Sequence, residues 1–590
     1  MRKLVYSLLM VGAFTLGSCT LPQMIKLAKQ QQLTVTPNPL EVHKDSVAFD
    51  IAANLPAKML KKGFVYTVNS FYKYGDKETA LEPMVFKGDD FPNAATQQPK
   101  LTKSFVFGYQ PAMKSGTLQV EGVASKGPKS KTTPRMDIAV GVITTSKLVQ
   151  KSYYAAFADH GYNNAEEIIP VIIPDFIFEQ GRSVLRKSET SSEKGKQLDA
   201  FIAAKNITKT VSIIGTHSPE GRERINSKLS EERAAAIEKF YRAEMKKYDY
   251  KGEADAIKFI LKPVVDDWNG LKAALASYTG ISADEKAAIL NVINGGGSFE
   301  EQEKSISKLA GYKKVLKDVY PTLRTAKTEI LTIKKKKTDA EISVLAKQIV
   351  KGEAAADALS FEELMYSATL TPSLDEKAAI YGAATKRGNN WTAYNNLGAT
   401  YLALGIENPS KLNDYADQAA AQLDIAQKIK ETPEVLANLA TVALIKGNAY
   451  KAASLSARSL NGANNDVARG VNGVKGASEI FIAKYDAAVR STSAATATDV
   501  NLFNKGLAQL LSKDYANASA SFGEATRKNP NLALGFYGAA VAAARTGNAD
   551  GVINNLTSAV KVDPSLKAAA LSDLEFSKWF TNDAFRNALK

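Results

Sequence analysis

The sequence predicts a multidomain chain: a β-sandwich first, an α/β domain second and an all-α repeat last. Three observations predict this order. From Leu33 to about Lys147, short runs such as Ser46-Val47-Ala48-Phe49-Asp50-Ile51 and Phe64-Val65-Tyr66-Thr67-Val68 alternate apolar and polar residues, with Pro, Gly, Asn and Asp clusters between them. That period of two is the mark of half-buried strands joined by turns. Between about Ile169 and Ile333, strand-like runs (Phe176-Ile177-Phe178, Val211-Ser212-Ile213-Ile214) alternate with helical ones, as in an α/β domain. From Thr338 onward the chain is alanine-rich and helical, and a set of residues recurs at a fixed spacing of 34.

At 590 residues the chain has room for about three or four domains. Its hydrophobic content of 45% and charged content of 23% are those of globular protein. Cys19 is the one cysteine, so no intrachain disulfide can form, and His43, His160 and His217 lie far apart in sequence. With no thiolate to join them, a zinc site is not expected, and no cofactor is called for. The net charge of +15 points to an anionic partner. No zinc-finger spacing or RNA-binding aromatic motif accompanies it, which excludes nucleic acid and leaves lipid headgroups, wall polymers or acidic proteins. The lysine runs at 126–131 and 334–337 read as solvated loops and a linker.

Taken in order, residues 1–18 read as a signal peptide: Met1-Arg2-Lys3, an apolar run from Leu4 to Leu16, then Gly17-Ser18. The apolar run is too short to span roughly 30 Å of hydrocarbon, which takes about 20 residues. Leu16-Gly17-Ser18-Cys19 resembles the lipobox of bacterial lipoproteins, and that resemblance implies acylation of Cys19. Residues 19–32 read as a tether, with a helical turn or more through Gln23–Leu27. No acidic cluster follows Cys19, a pattern that resembles the periplasm-facing default of Bacteroidetes lipoproteins rather than the surface-exposed ones. Residues 33–150 read as an antiparallel sandwich of immunoglobulin-like type, a spacer or docking surface without a catalytic cluster.

The α/β part, residues 169–337, carries the most informative motif. Ile214-Gly215-Thr216-His217-Ser218-Pro219-Glu220-Gly221 is followed by Asn226, Leu229, Ser230, Arg233 and Ala234. This resembles the OmpA-like peptidoglycan-binding domain, whose motif runs G-x-x-D-x-x-G and then N-x-x-L-S-x-x-R-A. The resemblance implies that Arg233, with Ser218, Glu220 and Asn226 around it, faces the stem peptide of the wall. In that family the aspartate and arginine clamp a zwitterionic amino acid, an arginine fork taking the carboxylate and the acid taking the ammonium. Here the aspartate position holds Ser218, which can accept a hydrogen bond but brings no charge. Either Glu220 supplies the carboxylate from the same loop, or the domain keeps the fold while its pocket binds something else or nothing. A helical insertion precedes the last strand, and Gly295-Gly296-Gly297-Ser298 inside it is a linker, since it lacks the Gly-Lys-Ser/Thr of a phosphate loop.

In residues 338–590, Lys513, Tyr515, Ala518, Phe522, Ala525 and Pro530 recur as Gly547, Ala549, Val552, Leu556, Ala559 and Pro564. Together with Tyr394-Asn395-Asn396-Leu397-Gly398-Ala399-Thr400-Tyr401, this resembles the tetratricopeptide repeat. Leu439 and Gly447 repeat Leu397 and Gly405 at a longer offset, which predicts an insertion around Ile406–Asn413. The resemblance implies a solenoid with a capping segment at Lys567–Lys590 and a groove for a protein partner. Asn395, Asn396 and Asn438 are candidates to give side-chain amides to a bound backbone.

These parts predict a non-catalytic scaffold, held by its lipid at the outer membrane and facing the periplasm, in contact with peptidoglycan and with an envelope protein partner. The alternative is a degenerate OmpA-like domain without wall binding, in a chain that serves only protein interaction or surface adhesion. An enzyme is not expected, because the chain lacks G-x-S-x-G, H-E-x-x-H and a cysteine nucleophile. Asp266-Asp267, the one acidic pair considered for glycosidase chemistry, reads as a helix cap.

Overall fold

The computed structural model describes residues 21–248, 250, 253–264 and 268–590. The signal peptide, Cys19 and the Asp266-Asp267 pair lie outside the described residues. The chain divides into two compact units: the residues up to Gly161 together with Ile342–Lys590, and Tyr162–Glu341. The predicted first and third parts therefore fold into one body, which the chain leaves and rejoins.

The first unit opens with the helix Leu21–Ala28. Its apolar residues at 21, 24, 25 and 28 make a helical stripe, and Met24 and Ala28 are buried in the core between the sheets. Tyr66 Oη donates to Gln31 Oε1 at 3.0 Å. The described part of the segment read as a tether is thus a folded helix that contributes Met24 and Ala28 to the sandwich core. In one sheet Ser46–Asn54 pairs with Lys100–Gly108 on one side and with Gln32–Thr36 and Leu40–His43 on the other, all antiparallel. In the other, Val65–Tyr74 pairs with Lys77–Ala80, Met84–Lys87 and Thr117–Lys126. Alternation turns Val47, Phe49, Ile51 and Ala53 of the first sheet towards Tyr66, Val68 and Tyr72 of the second. Tyr72 and Phe107 stack across the gap with ring centroids 4.7 Å apart.

The helical part is an array of antiparallel pairs. Five full pairs run Trp391–Glu407 with Leu412–Ile429, Pro433–Ile445 with Ala449–Ser459, Asn465–Phe481 with Tyr485–Ala494, Asp499–Leu511 with Tyr515–Lys528, and Ala533–Thr546 with Ala549–Val562. A shorter pair, Phe361–Ser367 with Leu374–Thr385, precedes them. The residues that recur at a spacing of 34 are its core: Ala518, Phe522, Ala525, Val552, Leu556 and Ala559 have no exposed surface. The turns inside four of the pairs each place one residue in the left-handed region, at Gly447, Ala483, Lys513 and Gly547. This conformation is natural to glycine and costs other residues about 1 kcal/mol. Gly405, read as the counterpart of Gly447, sits instead within a helix, where an added Cβ would lie 3.1 Å from the Leu412 side chain. The predicted insertion is an extension of that helix plus the short turn Pro409–Lys411. Phe576 and Phe585 of the C-terminal segment bury themselves against the last pair.

The sandwich and the array share an electrostatic joint. Arg545 donates to Glu41 of the sandwich at 2.8 Å and to Glu575 of the C-terminal segment at 2.6 Å, and Thr145 Oγ1 donates to Glu575 at 2.5 Å. His43 Nδ1 lies 2.7 Å from Tyr485 Oη.

The second unit is a four-stranded sheet in the order Ile168–Ile177, Thr325–Ile333, Ile207–Gly215, Lys258–Pro263. The last two strands are parallel and the other pairings antiparallel. Helices Glu193–Ala203 and Glu223–Met245 cover one face, burying Leu198, Ile202, Ile237 and Tyr241 against Val211, Ile213 and Ile330. The insertion, Trp268–Leu323, has its own small core around Leu271, Ile289, Ile306 and Tyr320. Capping boxes at Ser282/Glu285 and Ser298/Glu301 start two of its helices. The glycine run at 295–297 joins those two helices, as the sequence predicts.

Candidate functional site

The groove of the helical array is filled by the chain's own backbone. The first helices of successive pairs touch one another and line one face of the array. Residues 149–160, which have no regular secondary structure, run along this face as an extended strap. Asn504 accepts from Gln150 N–H at 3.0 Å and donates to its carbonyl at 2.7 Å. Asn438 does the same for Ala156, at 2.7 and 2.8 Å, and Asn396 for Ala158, at 2.7 and 3.0 Å. Thr441 Oγ1 donates to the Tyr154 carbonyl at 2.7 Å, and Ser152 Oγ donates to Asn501 at 2.7 Å. Contacts at every second residue are what an extended chain offers along one edge. Asn395 donates to the Ala156 carbonyl at 3.0 Å and to Asn396 Oδ1 at 3.1 Å and accepts from Asn438, tying two rungs together. Gly470 and Gly473 open room for the strap: a Cβ on Gly470 would lie 2.3 Å from the Tyr154 ring, and one on Gly473 2.8 Å from Ser152 Oγ.

Asn395, Asn396 and Asn438, read from sequence as amides for the backbone of a bound partner, here hold the chain's own backbone at residues 156 and 158. Asn501, Asn504 and Thr441, and the strap itself, were missed by sequence reasoning. Asn501 and Asn504 stand three apart on the first helix of a later pair, a repetition that was visible. The strap carries no periodic signal, since its partners are amides and not an apolar core.

The second cluster surrounds the loop between strand Ile207–Gly215 and helix Glu223–Met245. Strand and helix meet at Gly215, where a Cβ would lie 1.9 Å from the Ser230 carbonyl. Asn226 Nδ2 donates to the Glu220 carbonyl at 3.2 Å and Ser230 Oγ to the Val264 carbonyl at 3.1 Å, so these two motif residues hold the loop and the neighbouring chain. Arg233 is 1% exposed. Its three nitrogens donate to the carbonyls of Thr216 at 2.7 Å, Glu179 at 3.1 Å and Arg182 at 3.1 Å, and its guanidinium carbon lies 5.5 Å from the Phe178 ring centroid. Burial, and then the neighbouring Arg324, lower it to about 10, so it stays charged at neutral pH.

Ser218 and Glu220 are held from within by Arg324, a residue the motif did not indicate. Arg324 Nε donates to Ser218 Oγ at 2.9 Å and Nη2 to Glu220 Oε1 at 2.7 Å, and Arg324 itself is buried. It immediately precedes the strand Thr325–Ile333, and the Thr216 N–H to Thr325 carbonyl bond brings that strand's start beside the loop. Such a long-range placement follows from topology, which no local pattern reveals. His217 is buried edge-on to Phe299 of the insertion at 5.8 Å, and Phe299 packs on Trp268 at 4.4 Å. The insertion thus covers the loop. Arg233 is not presented to a ligand, and the arginine that meets Ser218 and Glu220 is Arg324. Among the described residues, no cluster of three His, Cys, Asp or Glu side chains is arranged to hold a metal ion.

Nearby, Glu303 accepts from Tyr320 Oη at 2.6 Å and Tyr312 Oη at 3.0 Å. Burial pushes its carboxyl up to about 7 from an ordinary 4.5. The folded unit then keeps a proton that the unfolded chain releases between those values. This contribution to stability is complete below about pH 4.5 and disappears as pH rises through 7. A Glu303→Gln variant should lose that pH dependence, with melting temperatures of wild type and variant diverging in favour of glutamine between pH 5 and pH 8. The gap corresponds to roughly 3 kcal/mol at most. Parallel melting curves across that range would show that Glu303 titrates normally.

No protein-family model matches the chain, and no curated protein matches it. Among solved structures, it is similar to YrrB, described as a TPR protein with an unusual peptide-binding site, at 19% identity over 40% of this chain and 99% of that one, with a TM-score of 0.21. It is also similar to the C-terminal part of a TPR repeat-containing protein from Cytophaga hutchinsonii, at 15% identity over 39% of this chain and 91% of that one, with a TM-score of 0.28. The likeness to yeast Tom70 has 12% identity over 60% of this chain and 83% of that one, with a TM-score of 0.26. At these scores the likeness is low, and the repeat is seen in the chain's own helix pairs.

Proposed function

We propose that this chain is a non-catalytic scaffold of a bacterial envelope, lipid-anchored through Cys19 at the outer membrane on its periplasmic side, whose helical array grips protein segments in extended form. The observation that carries the reading is the amide ladder. Asn396, Asn438 and Asn504 each pair with both the N–H and the C=O of one residue. Such bonds supply affinity for any extended backbone, as in strand addition at a sheet edge, with little demand on side chains. In the resting chain the strap occupies this ladder, so a partner segment competes with residues 150–158 for the same groups.

A labelled synthetic peptide of residues 148–160 tests this. It should bind a variant whose strap is weakened by Ala156→Pro, which removes the N–H that Asn438 accepts. It should bind wild type at least tenfold more weakly, because the intramolecular strap is present at a high effective concentration. No uptake by the variant, or equal uptake by both, would end the reading of the groove as a backbone receptor.

The alternative, an α/β unit that does not bind the wall, also has a specific observation behind it. Arg233 spends its donors on three backbone carbonyls, and Ser218 and Glu220 are engaged by Arg324. A stem peptide clamped as in the OmpA-like family would have to break those bonds. These internal bonds favour the reading in which the unit keeps the fold without binding peptidoglycan.

A further inference from the structure

We propose that one lysine-rich end of the β-sandwich docks on the anionic headgroups of a lipid surface, which adds to the reading of the chain as membrane-anchored and rests on it. Strand register collects four segments at this end. Gln32, Asn54 and Lys100 stand opposite one another in one sheet, and Lys87, Val65 and Ser125 in the other. The bond from Tyr66 to Gln31 joins the two. Beyond these residues lie the segments 21–31, 55–64, 87–100 and 124–131, which hold ten lysines and two acids, Asp89 and Asp90. All ten lysines are exposed, in a chain whose overall balance is 76 basic to 61 acidic residues. The lysines at 126, 129 and 131, read from sequence as a solvated loop, are therefore part of a larger basic surface gathered by the fold.

The opposite end of the sandwich is already occupied. There Glu41 meets Arg545, His43 meets Tyr485, and Lys44 lies 4.8 Å over the Tyr450 ring. The lysine-rich end is thus the one turned away from the helical array. At its centre, Lys126 lies 4.7 Å over the ring of Phe64, which brings the hairpin tip with Lys129 beside the loop that carries Lys61 and Lys62. No arginine belongs to these four segments. Ammonium groups act as separate point charges, suited to a diffuse layer of phosphates more than to the planar, bidentate recognition of one carboxylate.

What favours a lipid surface over another polyanion is where the chain enters. The first helix, Leu21–Ala28, touches the hairpin strand Lys129–Thr132 at this end, and Cys19 is two residues before the helix in sequence. Two extended residues reach about 7 Å, less than the Debye length of about 8 Å at physiological ionic strength. Acyl chains on Cys19 would bring this face within electrostatic range of the headgroups, and a single lipid signal is commonly reinforced by a basic patch.

The test uses the chain from residue 19 onward with Cys19→Ser, so that no lipid assists, mixed with vesicles of phosphatidylcholine containing or lacking phosphatidylglycerol. Cosedimentation should occur only with the anionic vesicles and should be stripped by 0.5 M salt, roughly the range in which such contacts are screened. Charge reversal at Lys61, Lys62, Lys126 and Lys129 together should weaken it at least tenfold with an unchanged melting temperature. Reversal of Lys428, Lys451, Lys561 and Lys578 on the helical array should leave it within a factor of two. Equal loss in both variants, no loss in the first, or retention on poly-aspartate beads without vesicle binding would overturn the proposal. Mass spectrometry of Cys19 from native membranes is a separate readout: an unmodified thiol would remove the anchor while leaving the vesicle result to stand or fall alone.

Discussion

Replacing Arg233 with alanine should destabilise the Tyr162–Glu341 unit, in contrast to the selective loss of ligand affinity that a binding arginine would give. The guanidinium is 1% exposed and is the link between three chain segments, through the carbonyls of Glu179, Arg182 and Thr216. Each hydrogen bond to a charged group contributes about 1.5–3 kcal/mol, and loss of the one to Thr216 also leaves a buried carbonyl without that donor. Deleting the side chain opens a cavity between Phe178 and the helix as well. Because these losses are not additive, about 4 kcal/mol is the expected total, a large part of the 5–15 kcal/mol typical of a domain. For a unit of this size that lowers the melting temperature by roughly 10 °C. Arg233→Lys keeps the charge, but one ammonium on a flexible stem cannot reproduce a rigid fork aimed at three carbonyls, so it should recover less than half of the loss. Calorimetry and limited proteolysis of the full chain give the stability, and cosedimentation with sacculi gives any wall binding. A variant with wild-type melting that has lost sacculus binding would restore the clamp and refute the structural role.

The contrast between this residue and its motif shows what a linear pattern can carry. Asn226, Ser230, Arg233 and Ala234 sit at helical spacing, and the structure uses all four to seat the helix on the loop and sheet. Spacing therefore predicts the strand–loop–helix, but the resemblance points Arg233 at a ligand, whereas in the structure it turns inward onto three backbone carbonyls. Spacing does not predict Arg324, which reaches Ser218 and Glu220 only because the last strand is inserted between the first two. The strand Lys258–Pro263 was missed for a related reason: its apolar residues Phe259-Ile260-Leu261 are few, flanked by lysines and without alternation. In the helical part the 34-residue recurrence marks the core because Phe522 and Leu556 must fill equivalent gaps between helices. The tether was misread and the strap missed because neither carries the pattern of a core element. Leu21–Ala28 is too short to look like a core helix, and residues 149–160 bury backbone amides, which leave no trace in a hydropathy pattern.

The second large effect is expected at Asn438. Its side chain has no exposed surface and makes three bonds: it accepts from Ala156 N–H, and donates to the Ala156 carbonyl and to Asn395 Oδ1. Asn438→Ala leaves the buried Ala156 N–H without its acceptor, at a cost of about 2–3 kcal/mol to the docked strap. Combined with Asn396→Ala, which frees Ala158 in the same way, hydrogen exchange at the amides of residues 156 and 158 should quicken at least a hundredfold, the equivalent of roughly 3 kcal/mol or more in the opening equilibrium. The sandwich core and the helix pairs should keep their protection, since their apolar contacts are untouched. Asn438→Asp discriminates between a packing effect and the ladder. Aspartate has nearly the same shape and can still accept from Ala156 N–H, but it has no donor for the two oxygens and would place a buried charge beside them. It should therefore release the strap more fully than alanine does. If Asn438→Asp is the milder of the two, shape and not the paired donor and acceptor holds the strap, and the groove is not a receptor for backbone.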